Sequence, residues 1–192
     1  MKTFFRRRVF AVAALCLALP AGMLPAGAGA QEKAPYELNA ILSVTGPGAF
    51  VGGPVAQALK IVEADVNATG GIHGRPLKIT VLDDQSNPQV TVQLVSGLPK
   101  DTAVFIGPML TASCSAVVAL LAHGPVGYCS SPFLTPPAGS NMFVQGGSAL
   151  DFAVVALRYL KERGLTRIAI LSATDGTGQA TDKALVQALG FN

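Results

Sequence analysis

From Glu37 onward, apolar runs short enough for strands take turns with stretches whose apolar residues recur at helical spacing. The first run, 37–43 (Glu-Leu-Asn-Ala-Ile-Leu-Ser), reads as a strand. Val55, Leu59, Val62 and Val66 then mark one face of a helix over 54–68. A β-rich run follows Pro76 at 77–83, and a helix opening on Pro88 covers 88–98. A third strand at 103–107, a helix at 112–122 and a fourth strand at 125–129 come next. A Pro-rich loop spans 130–140, and 142–145 is a short extended piece. The remainder reads as a helix at 148–163, a strand at 166–172 and a helix at 179–189. Strands alternating with helices through short loops predict an α/β fold, a parallel sheet covered by helices.

The pattern changes at 141–148, where a short extended crossing separates the first four β/α units from the last. This predicts one lobe over 31–145 and the start of a second α/β lobe over 146–192. A helix, a strand and a helix bury too little surface to hold a core alone. The alternation calls for another strand where the sequence stops at Asn192, so the chain reads as truncated, or as a natural fragment of a protein about twice as long.

Residues 1–30 read as an export segment and are set apart from the fold. Lys2, Arg6, Arg7 and Arg8 make a basic start, and Val9 to Leu19 is an apolar run of eleven residues. Ala28-Gly29-Ala30 places cleavage after Ala30. Arg7-Arg8-Val9-Phe10 also suits twin-arginine export, although a plain secretory signal is preferred. Pro20, Gly22, Pro25 and Gly27 break the run before the roughly 20 apolar residues that a span requires. Ala14-Leu15 is a poor lipidation context for Cys16.

Half of the chain is hydrophobic, 13% is charged, and the mean hydropathy is +0.46, all marks of a globular protein. The net charge of +3 comes from the export segment, since ten Lys/Arg face eleven Asp/Glu from Gln31 onward. No basic patch remains to recruit nucleic acid or anionic lipid. Cys114 and Cys129 form an even pair in an oxidising compartment, either as a disulfide or as two buried thiols. His73 and His123 stand apart from them, so neither a metal nor another cofactor is expected.

Ligands of open α/β sheets sit at the carboxyl ends of the strands, where helix N-termini attract anions. The candidate loops are 44–53, 107–113, 130–135 and 173–178. Thr111, Ser113 and Ser115 crowd the mouth of the third helix, one more hydroxyl than capping and chance require. The 130–135 loop, with Thr135, reads equally as a ligand loop or an ordinary turn. Phe50 and Val51 either meet an apolar ligand or wedge their loop on the core. Asp83-Asp84 is read as a loop brace in preference to a ribose ligand. Gly46, Gly48 and Gly52 miss the Gly-x-Gly-x-x-Gly spacing of dinucleotide sites. There is no nucleophile elbow and no His/Cys/carboxylate cluster, so no enzyme is expected.

Several stretches together resemble the leucine/isoleucine/valine-binding protein family, the periplasmic solute-binding proteins of ABC importers. They are Thr45-Gly46-Pro47 with Ala49 and Gly52, Val66 to Leu77 (Val-Asn-Ala-Thr-Gly-Gly-Ile-His-Gly-Arg-Pro-Leu), and Asp83-Asp84 with Asn87-Pro88. Ile106-Gly107-Pro108, Ser130-Ser131-Pro132 and Arg167 to Leu171 with Asp175 and Gly178 complete the set. The likeness covers the N-terminal half of such a protein and implies a Rossmann-like lobe of the type I periplasmic-binding fold, closing on its ligand by hinge motion. It implies that a ligand carboxylate meets the 109–113 loop at Thr111, Ala112 and Ser113, and that an ammonium meets 133–135 at Phe133 and Thr135. The aromatic that covers the ligand falls at Val51, beside Phe50. Thr177-Gly178 stands where amino-acid binders often carry Tyr-Gly, so small aromatic or other carboxylates fit nearly as well. The resemblance also implies a monomer in the periplasm, with an inner-membrane ABC permease as partner. A ligand-sensing receptor domain, a non-functional fragment and an exported enzyme are the alternatives.

Overall fold

The computed structural model describes residues 33–190 apart from Pro132. The export segment and its cleavage point lie outside the described residues. The elements run β1 (Tyr36–Leu42), α1 (Ala49–Ala68), β2 (Leu77–Asp83), α2 (Pro88–Ser96), β3 (Val104–Ile106), α3 (Thr111–Val117), a 3-10 turn (Val118–Leu121), β4 (Val126–Cys129), β5 (Met142–Val144), α4 (Ala149–Glu162) and α5 (Gly176–Leu189). The five strands form one parallel sheet in the order β2-β1-β3-β4-β5, as the alternation predicts.

Period-2 alternation sorts each strand between the two faces. Ala40 and Leu42 of β1 pack with Ala56 and Met109 on one side, where Val51, Val55 and Leu59 of α1 close the layer. Ile41 points the other way, into a cluster with Val95 of α2, Phe105, Val117, Leu121 and Met142. Cys114 and Cys129 belong to that second cluster and are joined as a disulfide. A third cluster, Ala153, Leu157, Ala184 and Ala188, joins α4 to α5.

The Asn67 to Leu77 block holds the edge of the sheet. Asn67 donates its amide to the Leu77 carbonyl (2.8 Å) and accepts from the Leu77 N–H (2.7 Å). Arg75 donates from Nε and Nη2 to the carbonyls of Ala34 and Pro35. Helix ends carry their own stops: Asn87 caps α2, and Ser148 with Asp151 forms a reciprocal capping box on α4.

The two largest departures from the sequence reading concern the start of α1 and the run at 166–172. Helix α1 begins at Ala49, five residues before 54, and carries Pro54 inside it. As the sixth residue of the helix, Pro54 lies past the first four N–H groups, which lack intrahelical partners, and removes one backbone bond of the second turn. The expected strand at 166–172 is absent: these residues form no strand pairing among the described residues, and Ile168, Ile170 and Leu171 are exposed. A strand is defined by its neighbour, and no described strand lies beside this run.

The disulfide closes a stretch of sequence separation 15. Loop-closure entropy for a ring of that size predicts that replacing both cysteines by alanine lowers the unfolding free energy by about 3 kcal/mol. Urea denaturation of the variant reads this, and an unchanged midpoint would show that the bond adds nothing to stability.

Candidate functional site

The carboxyl ends of β1, β3 and β4 bring three loops to one edge of the sheet. Backbone crowding shapes them. A Cβ on Gly52 would run into the Ser43 carbonyl, and one on Gly107 into that of Ile41, where φ is also +94°. Only glycine lets the start of α1 and the turn after β3 come this close.

Asp83 and Asp84 brace the first loop, as the sequence reading has them. Asp83 accepts from the Val44 N–H (2.9 Å), the Thr45 N–H (3.1 Å), the Thr45 hydroxyl (2.6 Å) and the Gln85 N–H (2.9 Å). Asp84 is fully buried, and its carboxylate accepts from the Ser43 hydroxyl (2.7 Å) and the Ser86 N–H (2.9 Å). The Thr91 hydroxyl completes it, within reach of Asp84 Oδ2 (3.1 Å) and Ser113 Oγ (2.9 Å). A buried carboxylate needs such a set of donors. The result ties β1, β2, α2 and the first turn of α3 together.

A second group of hydroxyls lies at the mouth of α3. Thr111 Oγ1 is 2.7 Å from Ser131 Oγ and 2.9 Å from Thr177 Oγ1, so the loops after β3 and β4 meet the start of α5. Asp175 fixes that start by accepting from the N–H groups of Thr177 and Gly178. Leu110, at the N-cap of α3, supplies no side-chain cap for the first-turn N–H groups. Gly176 faces them: a Cβ there would sit 3.5 Å from the Ala112 nitrogen. Neutral donors therefore converge at this edge, with the Asp84 charge enclosed behind Ser113.

The structure brings some of the expected residues together and separates others. Thr111, Ala112 and Thr177 share the mouth of α3. The Ser113 hydroxyl turns inward to Thr91, which leaves only its backbone to face outward. The N–H of Phe133 donates to Ser131 Oγ at 3.4 Å, while Thr135 is exposed. Val51 packs into the core beside Val55, and Phe50 on the same turn is 79% exposed. Ser131 is the residue that the sequence reading left out of the site. Its signal was available, because the buried alternation Gly127, Cys129, Ser131 continues past the end of β4.

A cleft of about 490 Å³ opens elsewhere, among residues such as Tyr36, Asn39, Arg75 and Asp101 at the opposite ends of β1 and β3. Among the described residues no group of three His, Cys, Asp or Glu is arranged to hold a metal. No helix among them is long and apolar enough to cross a membrane.

A family model described as periplasmic binding protein matches residues 36–192. No curated protein matches the chain. Solved structures do. An extracellular ligand-binding receptor from Verminephrobacter eiseniae aligns with a TM-score of 0.73 at 20% identity, over 83% of this chain and 47% of its own. A solute-binding protein of an ABC transporter from Rhodopseudomonas palustris, in complex with 3,4-dihydroxybenzoic acid, gives 0.68 at 15% identity, over 81% and 44%. An ABC transporter substrate-binding protein from Desulfitobacterium hafniense, in complex with Leu, gives 0.62 at 19%, over 81% and 47%. The chain spans about half the length of these structures, and at such identities the likeness is one of fold.

Burial pushes the Asp83 carboxyl up, but the Thr45 hydroxyl and the N–H groups of Gln85, Thr45 and Val44 outweigh it and hold the group below its ordinary 3.8. A depressed carboxyl adds stability that is present above 3.8 and is lost as pH falls through the lower folded value. An NMR titration of Asp83 is expected to give a midpoint below 3.8, with the Thr45 amide following it. A midpoint at or above 3.8 would mean that the brace does not hold in solution.

Proposed function

The chain belongs to the periplasmic binding protein family, and we propose that it acts as the extracytoplasmic solute-binding component of an ABC importer. The ligand is an amino acid or a small, in some cases aromatic, carboxylate. It is taken at the carboxyl edge of the sheet, between a first lobe over 31–145 and a second that begins near 146. Hinge closure brings the walls together, and an inner-membrane permease receives the ligand. The protein works in the periplasm without catalysis or cofactor.

The observation that carries this reading is the convergence of the Thr111, Ser131 and Thr177 hydroxyls beside first-turn N–H groups without a side-chain cap. Uncharged donors of this kind suit a carboxylate. They stabilise it through backbone dipoles and hydroxyl protons, and release it without breaking a buried ion pair. Leu and 3,4-dihydroxybenzoic acid, held by two proteins of similar fold, share a carboxylate and little else. That common group supports the class. In this arrangement the Thr177 hydroxyl, held by Thr111, and the Ala112 and Ser113 N–H groups meet the carboxylate. The 133–135 loop, with Phe133 and Thr135, faces the rest of the ligand, and exposed Phe50 of α1 is free to cover it; Val51 supports Phe50 from below.

Isothermal titration of the protein with L-leucine and with 3,4-dihydroxybenzoate tests the proposal. Binding of at least one is expected, and Thr177→Val is expected to weaken it about tenfold, the worth of a hydrogen bond to a charged group. Equal affinity in the variant, or heat from neither compound, would count against this site.

A further inference from the structure

We infer that Ser131 is a specificity-setting, positioning residue: by donating to Thr111 it makes Thr111 donate to Thr177, so the spare proton of the chain leaves at Thr177 and selects hydrogen-bond acceptors. The inference rests on the solute-binding reading only for what that proton meets.

The argument is a count of protons. Three hydroxyls carry three protons, and the contacts Ser131–Thr111 (2.7 Å) and Thr111–Thr177 (2.9 Å) consume two of them. Three orders satisfy both contacts. In one, Ser131 donates to Thr111, Thr111 donates to Thr177, and the spare proton is on Thr177. In the second the direction is reversed and the spare proton is on Ser131. In the third Thr111 accepts from both neighbours on its two lone pairs, and the spare proton stays on a residue 6% exposed with no third partner for its hydroxyl among the described residues, a loss that sets this order aside.

The surroundings separate the first two orders. Ser131 is 5% exposed, and its other hydroxyl neighbour is the Phe133 N–H at 3.4 Å, which is itself a donor. A spare proton there would be buried and face another donor, a loss that a buried polar group rarely bears. Thr177 is only half-buried, so its proton reaches the open side. Cys129, two residues before Ser131, is tied to Cys114, three residues after Thr111, which keeps the two backbones side by side. The disulfide thus locks the geometry, and Ser131 sets its direction.

NMR of hydroxyl protons in the unliganded protein decides the order without any ligand. Slowly exchanging signals are expected from Ser131 and Thr111 and none from Thr177; a slow Thr177 signal, with or without a Ser131 one, would overturn the inference. Ser131→Ala is expected to speed exchange of the Thr111 hydroxyl roughly five- to tenfold, the equivalent of one hydrogen bond, and Ser131→Thr to restore it. An unchanged rate in the alanine variant would also overturn it. For specificity the probes are L-leucine and L-leucinamide, which differ in the acceptor. Ser131→Ala should weaken leucine at least about fivefold more than leucinamide, and equal losses would refute selection by the Thr177 proton. Failure of the unaltered protein to bind either compound, with the hydroxyl pattern as expected, would tell against the proposed ligand class and leave the proton order standing.

Discussion

Strand β1 is enclosed by neighbours on both edges and by helices on both faces, and its carboxyl end must still accept three chain crossings. Ala40, Ile41, Leu42 and Ser43 are all fully buried. Side chains cannot be fitted around the last carbonyls of such a strand. The chain therefore approaches them as bare backbone, Gly52 over Ser43 and Gly107 over Ile41. That close approach sets where α1 starts and how β3 turns into α3. It also draws the loops into one small region at the edge of the sheet, and the position of every candidate ligand group follows from it.

Two hydroxyl networks occupy this crowded edge, and they differ in charge. One is centred on the carboxylate of Asp84, sealed from solvent and satisfied by Ser43, Ser86 and Thr91. The other, Thr111 with Ser131 and Thr177, is neutral. Enclosed behind α2 and α3, the Asp84 carboxylate acts as internal mortar. Ser113 marks the border between the two. Its backbone belongs to the mouth of α3, and its hydroxyl to the buried network.

What could be read from the sequence was whatever depends on local periodicity. The first four strands of the sheet and the helices between them follow from alternation and from turn residues, β5 shows only as a short extended piece, and the Asp83-Asp84 brace follows from its place at a strand end. The start of α1 was missed because Pro54 is a common first-turn residue and hid the turn before it. Residues 166–172 show the opposite limit. Arg167-Ile168-Ala169-Ile170-Leu171 has the composition of a strand, but strand formation requires a partner backbone, which periodicity within the run cannot supply. The inward turn of Ser113 and the burial of Val51 were equally hidden, since residue type gives reach but not direction.

Ser131 illustrates how the remaining information is distributed. Its burial was legible, in phase with Cys129 and Gly127. Its role was not, because a serine's chemistry depends on which neighbours lack a proton and which have one to spare. Here the neighbours come from α3 and from the start of α5, with Thr111 and Thr177 66 residues apart in sequence. The hydroxyl chain thus links the loops after β3 and β4 to the start of α5. A solute that accepts from Thr177 takes up the proton that the chain leaves spare, whereas one that only donates leaves that proton unmatched. Discrimination between the two can therefore be built from hydroxyl groups.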